Sequence, residues 1–302
     1  MKPTPQPVEP DPTPAGSPAP ANHQHQHQDS AHPTPLRTDP AQAVPVCVWR
    51  GAWTSSTRTL PEETAIAISY NRVSHAVMMA TPADLHDFAV GFSLSEGIVP
   101  NPAAIEECTI VQAEQGIELR LWISADLMGG LEKRRRAIAG ATGCGMCGLE
   151  SLAAAMRPIP AVPASGTVFT PADIMAAVDS IGPAQTLGRA TRAVHAAGFW
   201  RTGRGLLALR EDVGRHNALD KLGGALARAG EPAAGGILVL TSRLSIELIQ
   251  KAARMGAGVI AGVSAPTALG VRAAQAAGMT LVGIARADGF EVFCGQERIG
   301  QA

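Results

Sequence analysis

The apolar positions change rhythm along the chain, and each rhythm predicts a different kind of structure. From residue 1 to about 45 there is almost no aliphatic content; Pro, Ala, Thr, Gln and His dominate, with the alternation His23-Gln24-His25-Gln26-His27-Gln28. Such a stretch cannot bury enough apolar surface to offset the entropy of ordering, so a disordered Pro/His-rich tail is predicted over 1–45. Order is expected from about Val46. Ile66, Ile68 and Tyr70 alternate with smaller residues, and Ala76-Val77-Met78-Met79 follows a turn-like Asn71-Arg72-Val73-Ser74, which predicts two strands. Thr81-Pro82-Ala83-Asp84 then reads as a helix start, with Thr81 as N-cap, Pro82 at the first position and Asp84 closing a capping box. Leu85, Phe88, Ala89 and Phe92 recur at helical spacing, and Gly97 is the expected stop. Residues 108–111 and 117–123 flank Glu114-Gln115-Gly116 as a hairpin with one buried face. A helix over 127–139 follows, carrying the basic run Lys133-Arg134-Arg135-Arg136, a solvated face or a docking patch for an acidic partner.

Pro158, Pro160 and Pro163 mark an internal boundary. Thr170-Pro171-Ala172-Asp173 repeats the capping signal, and Ile174, Val178 and Ile181 supply the apolar face of its helix. Short apolar runs at 206–209, 237–240, 259–261 and 281–284 come next, most of them separated by helical stretches such as 246–255 and 268–277. That alternation predicts an α/β sheet covered by helices. The expected organisation is a tail (1–45), a smaller N-terminal α+β portion (46–157) and an α/β domain (158–302).

Composition narrows the function classes. A formal charge of -1 over 302 residues gives no electrostatic reason to bind nucleic acid or membrane broadly, so anionic ligands must be sought locally. No run of about 18 apolar residues could span a bilayer, and Met1-Lys2-Pro3-Thr4-Pro5 lacks the apolar stretch of a secretory signal, so a cytoplasmic location is expected. Five cysteines, Cys47, Cys108, Cys144, Cys147 and Cys294, are odd in number and sparse, unlike a secreted disulfide framework.

Chemistry concentrates at Thr142-Gly143-Cys144-Gly145-Met146-Cys147-Gly148, two thiols among three glycines just ahead of a helical stretch from Leu149. The glycines let the backbone present the thiols on a loop, and a helix N-terminus favours thiolate. A structural zinc site would need two more ligands, which only the fold could bring, from His195 and His216. A zinc deaminase would need Pro before the first Cys and an upstream His-x-Glu; Gly143 stands in the first place, and none of His75, His86, His195 or His216 has Glu two residues on. A dithiol oxidoreductase and a sulfur relay through a cysteine persulfide both use the pair as it stands.

Two further regions stand out. Arg210-Glu211-Asp212-Val213-Gly214-Arg215-His216-Asn217-Ala218-Leu219-Asp220-Lys221 is the densest polar cluster, with Leu219, Leu222 and Leu226 toward a core and Arg215, His216, Asp220 and Lys221 on other faces; Asn217 with Lys221, or His216 with Asp220, could pair at helical spacing. The strands also end in small polar segments, Thr241-Ser242-Arg243 and Ser264-Ala265-Pro266-Thr267, where helix N-termini offer N–H groups to phosphates.

Taken together, Ser74-His75-Ala76-Val77-Met78-Met79-Ala80-Thr81-Pro82, residues 87–97, the 142–148 loop, residues 210–221, residues 247–253 and Val263-Ser264-Ala265-Pro266-Thr267 resemble, in order, the formate dehydrogenase accessory sulfurtransferases of the FdhD/NarQ family. The resemblance implies a cytidine-deaminase-like α/β core without the deaminase metal, and no metal of its own. It implies that sulfur from a cysteine desulfurase is carried as a persulfide and delivered to the bis-molybdopterin guanine dinucleotide molybdenum cofactor before insertion into the formate dehydrogenase catalytic subunit; the alternative is a molybdenum-cofactor-binding chaperone without sulfur transfer, whose thiols are incidental. By motif position it makes Cys144 the carrier and Cys147 its partner. It assigns cofactor binding to Ile284, Ala285, Arg286, Ala287, Asp288 and Gly289, with Arg215, His216, Asn217 and Ser264, and it implies a homodimer. This chain departs from the family pattern at Thr191-Arg192, at Ser242-Arg243 and at Ile284, where Phe is usual.

Overall fold

The computed structural model describes residues 38–140, 158–163 and 166–300, with the backbone alone for 134–140. Structure begins ahead of Val46, with a hairpin the apolar pattern did not announce: β1 (Ala41–Trp49) pairs antiparallel with β2 (Trp53–Pro61) through the full length of both. Val44, Val46 and Val48 lie half-buried on one face of it, while nearly all of β2, rich in Ser and Thr, is exposed.

β3 (Thr64–Tyr70) and β4 (Val73–Ala80) follow as expected, joined by Asn71 and Arg72 at φ 49° and 67°. Two successive left-handed residues are what a two-residue hairpin turn needs to match strand twist. The helix after them, α1 (Leu85–Ser95), departs from expectation at its start. Asp84 occupies the N-cap position in the left-handed region and makes no side-chain cap. Thr81 is drawn elsewhere: fully buried, its hydroxyl accepts from the Val213 N–H at 3.2 Å and its own N–H donates to Asp212 Oδ2 at 3.0 Å. Tertiary partners thus override the local capping signal. Glu96 and left-handed Gly97 end α1 as read.

β5 (Ile105–Ala113) and β6 (Gly116–Ile123) complete a four-stranded sheet in the order β4-β3-β6-β5, followed by α2 (Ala125–Gly140). Ile66, Ile68 and Tyr70 of β3 and Leu119, Leu121 and Ile123 of β6 pack with Phe88 and Phe92 of α1 and Met128 and Leu131 of α2. Among the described residues no helix covers the sheet's other face, where Val77 and Met79 stay exposed.

The second half opens on α3 (Pro171–Asp179), where the capping box forms in full, Thr170 Oγ1 accepting from Asp173 N–H and Asp173 from Thr170 N–H. Short helices α4 (Ile181–Ala184) and α5 (Thr186–Thr191) lead into β7 (His195–Arg201) and β8 (Gly205–Asp212). Helix α6 (Arg215–Arg228), β9 (Ile237–Leu240), α7 (Ile246–Arg254), β10 (Val259–Gly262), α8 (Ala268–Ala276), β11 (Thr280–Arg286) and β12 (Gly289–Cys294) complete a six-stranded sheet, order β12-β11-β10-β9-β7-β8. β9, β10 and β11 run parallel, while β7 is antiparallel to both of its neighbours. One face is covered by α6, α7 and α8, through Leu219, Leu222, Leu248, Ile249 and Ala274, and the other by α3 and α4, through Ile174, Val178 and Ile181.

The two sheets are joined by α1 crossing α6. A Cβ on Gly91 would stand 1.7 Å from the Asp220 carbonyl oxygen, and one on Gly224 would stand 1.9 Å from that of Asp87. Only glycine at both positions lets the backbones meet this closely.

Candidate functional site

The strand register gathers the separately read polar segments along one edge of the six-stranded sheet. His195, the first residue of β7, pairs with Asp212, the last of β8; Ala197 pairs with Leu240, and Leu240 with Gly262. The residues just beyond, Gly214 to Asn217, Thr241 to Arg243, Ser264 and the end of β11, therefore share that edge. The N-termini of α6 and α7 point into it, so their free N–H groups face the same space.

At the start of α6, Asp212 and Lys221 form an ion pair at 2.6 Å in which both side chains are fully buried. Every acceptor is used. Asp212 Oδ1 accepts from Gly214 N–H (2.7 Å) and from the Asn217 amide (3.0 Å), Oδ2 from Thr81 N–H, and Lys221 Nζ also donates to the Thr81 carbonyl at 2.8 Å. Burial pushes the Lys221 ammonium down, opposed first by Asp212. This pair holds the α6 N-terminus against the end of β4, and Asn217, whose amide also donates to the Met79 carbonyl at 2.9 Å, is committed to the same joint. The helical-spacing pairs read from the sequence, Asn217 with Lys221 and His216 with Asp220, do not form.

Asp220 instead binds Lys251 of α7, both carboxylate oxygens lying 2.9 Å from Nζ, and accepts from the Ser95 hydroxyl at 2.6 Å; Lys251 also reaches Glu96 at 3.2 Å. Burial works against the Lys251 ammonium, yet Asp220 and Glu96 outweigh it and raise its pKa. A third cluster ties Asp87 of α1 to Arg210 (2.6 Å) and Arg228 (2.5 Å). Asp220 and Lys221 are thus buried rather than on outer faces, because α6 is enclosed by α1 on one side and the sheet on the other. Lys251 and Asp87 were not read as functional positions; the signal available was a charged residue abutting the buried stripe of its helix, Lys251 beside Leu248 and Ala252.

Arg215 and His216 remain uncommitted. Buried Arg215 Nε and His216 Nε2 have no hydrogen-bond partner, Glu247 Oε2 lying 4.0 Å from the latter. Burial first, then Arg215 and Lys251, lower the His216 pKa to about 4, so the ring is neutral at physiological pH. His216, Glu247, Lys251, Ser95, Met78 and Phe92 line a cavity of about 300 Å³. His195 is likewise pushed down, by burial and then by Arg215.

At the far end of the edge, Ile284 N–H donates to the Ser264 carbonyl at 3.2 Å, and Ile284 sits at φ 53° within a bulge of the β11–β12 pairing. A β-branched residue there is strained. Ala285 turns inward and is fully buried; Arg286, Ala287 and Asp288 are exposed, and Gly289 takes φ 136°. Arg215, Arg243 and Arg286 give the edge guanidinium groups suited to bidentate phosphate binding, and the unpartnered Arg215 Nε fits an anionic ligand.

The thiol loop at 142–148 lies outside the described residues, as does most of the 1–45 tail. Of the described cysteines, burial raises the pKa of Cys108 and Cys294, the opposite of what a sulfur nucleophile needs, while Cys47 is exposed on β1. Among the described residues, no group of three or more His, Cys, Asp or Glu side chains is arranged to hold a metal ion, and no helix is long and apolar enough to cross a membrane.

The chain is 50% identical over 242 residues to the sulfur carrier protein FdhD of Agrobacterium fabrum, covering 80% of this chain and 89% of that one. It is 48% identical over 250 residues to that of Cupriavidus necator, covering 83% and 86%. A crystal structure of a protein assigned as a formate dehydrogenase accessory protein, from Desulfotalea psychrophila, superposes with a TM-score of 0.67 over 86% of this chain and 99% of that one, at 26% identity. The FdhD/NarQ family matches residues 61–300, and with relatives this similar along most of their length the chain belongs to that family.

Proposed function

We propose that this protein is a sulfur carrier in formate dehydrogenase maturation, acting in the cytoplasm as a sulfurtransferase on the molybdenum cofactor. The reading rests on curated relatives named for sulfur carriage, and on one geometric observation: the segments assigned to a phosphate-bearing acceptor share one sheet edge, lined by guanidinium groups and helix N-termini. A strand order in which β7 lies between β8 and β9, followed by parallel β10 and β11, supports a cytidine-deaminase-like core for this half.

In the proposed cycle the Cys144 thiolate attacks the terminal sulfur of a cysteine desulfurase persulfide; an S–S bond forms on Cys144 and the donor leaves as its own thiolate. Once the acceptor is bound, attack by the Cys147 thiolate on the Cys144 sulfur closes a Cys144–Cys147 disulfide and releases hydrosulfide toward it, the two thiols supplying both electrons, and a dithiol reductant then returns the disulfide to two thiols for the next turn. The acceptor, the bis-molybdopterin guanine dinucleotide cofactor, is substrate here. Arg286, Arg215 and the N–H groups near Ser264 hold its phosphates and neutral His216 offers a hydrogen bond, while formate dehydrogenase receives the product.

Intact-protein mass spectrometry after incubation with a cysteine desulfurase and cysteine tests the cycle. The wild type should gain the mass of one sulfur, reversibly with reductant, and Cys144→Ala should not. Sulfur that persists in Cys144→Ala and vanishes only in Cys147→Ala would exchange the roles of the thiols. Absence of sulfur from the wild type would sink the carrier reading.

A further inference from the structure

The β1–β2 hairpin stands out as a structure without sufficient support of its own. Two nine-residue strands pair along their whole length, yet within the described residues the arm rests on the body chiefly through α5. An isolated two-stranded hairpin is marginal in water, and its outer strand edges are templates for association. At its tip Trp49 and Trp53 face each other, ring centroids 5.4 Å apart, and are 59% and 71% exposed. The strand register puts Cys47 and Ser55 on the same face. Tryptophan is the residue type most concentrated at interface hot spots, and two adjacent ones left in water are an unfilled contact.

The same chain exposes a second apolar surface. On the side of the four-stranded sheet away from α1 and α2, Val77 is 63% and Met79 50% exposed, next to their β3 partners Ala67 and Ala65. β4 is the edge strand of that sheet. The arm does not fold back onto this patch in its own chain, since both stay open to solvent.

We propose that the tryptophan face of the arm packs on the Val77–Met79 patch of a second copy of this chain, each copy giving its arm and receiving the other's. This deepens the homodimer that the family resemblance implies, and rests on it. Two-fold symmetry is what favours a second copy over an unrelated partner: a single contact would cover one surface and leave its complement in water, whereas exchange covers all four at once. The exposed side chains involved amount to roughly 500 Å² a protomer, so exchange buries roughly 1,000 Å², the lower bound for a specific interface, before any strand pairing along the β4 edge is added.

Sedimentation equilibrium on the full chain at micromolar concentration tests this with two independent variants. The wild type should run as a dimer, while Trp49→Ser/Trp53→Ser on the arm and Val77→Glu on the sheet should each shift the dimer dissociation constant by at least about 100-fold and halve the observed mass. Using both surfaces guards against an arm that merely unfolds when its tryptophans are removed. The contact is also read directly. In Val77→Cys, mild oxidation of a mixture of isotopically light and heavy chains should give a mixed-isotope disulfide peptide joining Cys47 to the introduced thiol. A dimer that survives both variants and yields no such peptide would overturn the arm exchange while leaving the dimer intact. A wild type that is monomeric at tens of micromolar would remove the dimer itself and the exchange with it.

Discussion

Among the described glycines, Gly91 leaves the least room for a side chain, and that makes a stability prediction. In Gly91→Ala the new Cβ would lie 1.7 Å from the Asp220 carbonyl oxygen, 2.6 Å from its carbon and 2.7 Å from Gly224 N, all backbone atoms that cannot turn aside. Restoring ordinary van der Waals contact requires α1 and α6 to part by about 1.5 Å at the crossing. Overpacking of this kind costs about 1–3 kcal/mol. The crossing also sets the spacing of the Ser95–Asp220 bond at 2.6 Å and of the pair between Asp87 and Arg228 of α6 at 2.5 Å, and parting the helices takes both beyond hydrogen-bond range. Charged hydrogen bonds are worth about 1.5–3 kcal/mol each, so a total loss of about 4 kcal/mol or more is expected. For a domain of this size that lowers Tm by at least about 8 °C, read by circular dichroism on heating. Gly129→Ala on α2 is the control: nothing lies within 4 Å of its Cβ, and helix propensity alone should raise stability by about 0.5–1 kcal/mol. A Gly91→Ala protein melting within about 2 °C of wild type would refute the reasoning.

Three other outcomes are expected. Lys221→Met leaves the Asp212 carboxylate buried without its cation, which should cost about 3–5 kcal/mol in urea unfolding, and adding Asp212→Asn should recover part of it; a cost below about 1 kcal/mol would mean the pair is not structural. Because the folded His216 pKa is lowered to about 4, the unfolded chain binds one more proton between about pH 4 and 6.5, so stability rises with pH across that window and is lost as pH falls through it. His216→Gln should flatten this slope by about 1–2 kcal/mol, a figure reduced for the ring's partial exposure, and an unchanged pH profile would exclude His216 as its source. Ile284→Gly should relieve the left-handed backbone by about 1–3 kcal/mol against an entropy cost of about 0.5–1, giving a net gain near 1 kcal/mol and a Tm raised by about 2–4 °C; a drop in Tm would show that the Ile284 side chain stabilises the bulge more than the backbone strains it.

How legible each element was depended on what surrounds it. The runs at 237–240, 259–261 and 281–284 became β9, β10 and β11 because continuous apolar stretches are the mark of strands covered on both faces. β7 was missed because its buried residues are small: Ala196, Ala197 and Gly198 carry little hydrophobic signal, and a Cβ on Gly198 would stand 2.3 Å from Ile181 Cδ1, so the smallness is what lets α4 approach. The same Thr-Pro-x-Asp signal capped α3 but not α1, since only Thr81 has buried competitors for its hydrogen bonds. Asp220 and Lys221 were assigned to outer faces because a single apolar stripe predicts one buried side, and α6 has two. The carboxyl-end segments at 241–243 and 264–267 were visible as motifs, but their meeting with Arg215 and Ile284 is a property of register alone.

The joint between β4 and α6 also has a consequence for synthesis on the ribosome. Thr81 bonds Asp212 across 131 residues and Lys221 across 140, and Met79 bonds Asn217 across 138. At translation speeds of about 5–20 residues per second, β4 and α1 emerge roughly 7–28 s before the residues that satisfy them. During that interval the Gly91 face of α1 lacks the helix it packs on, Thr81 N–H lacks Asp212 and the Met79 carbonyl lacks the Asn217 amide. The core between β3, β6, α1 and α2 uses no residue of α6, whereas the joint to the second sheet forms only once α6 has been made, so a stop before Lys221 loses the joint.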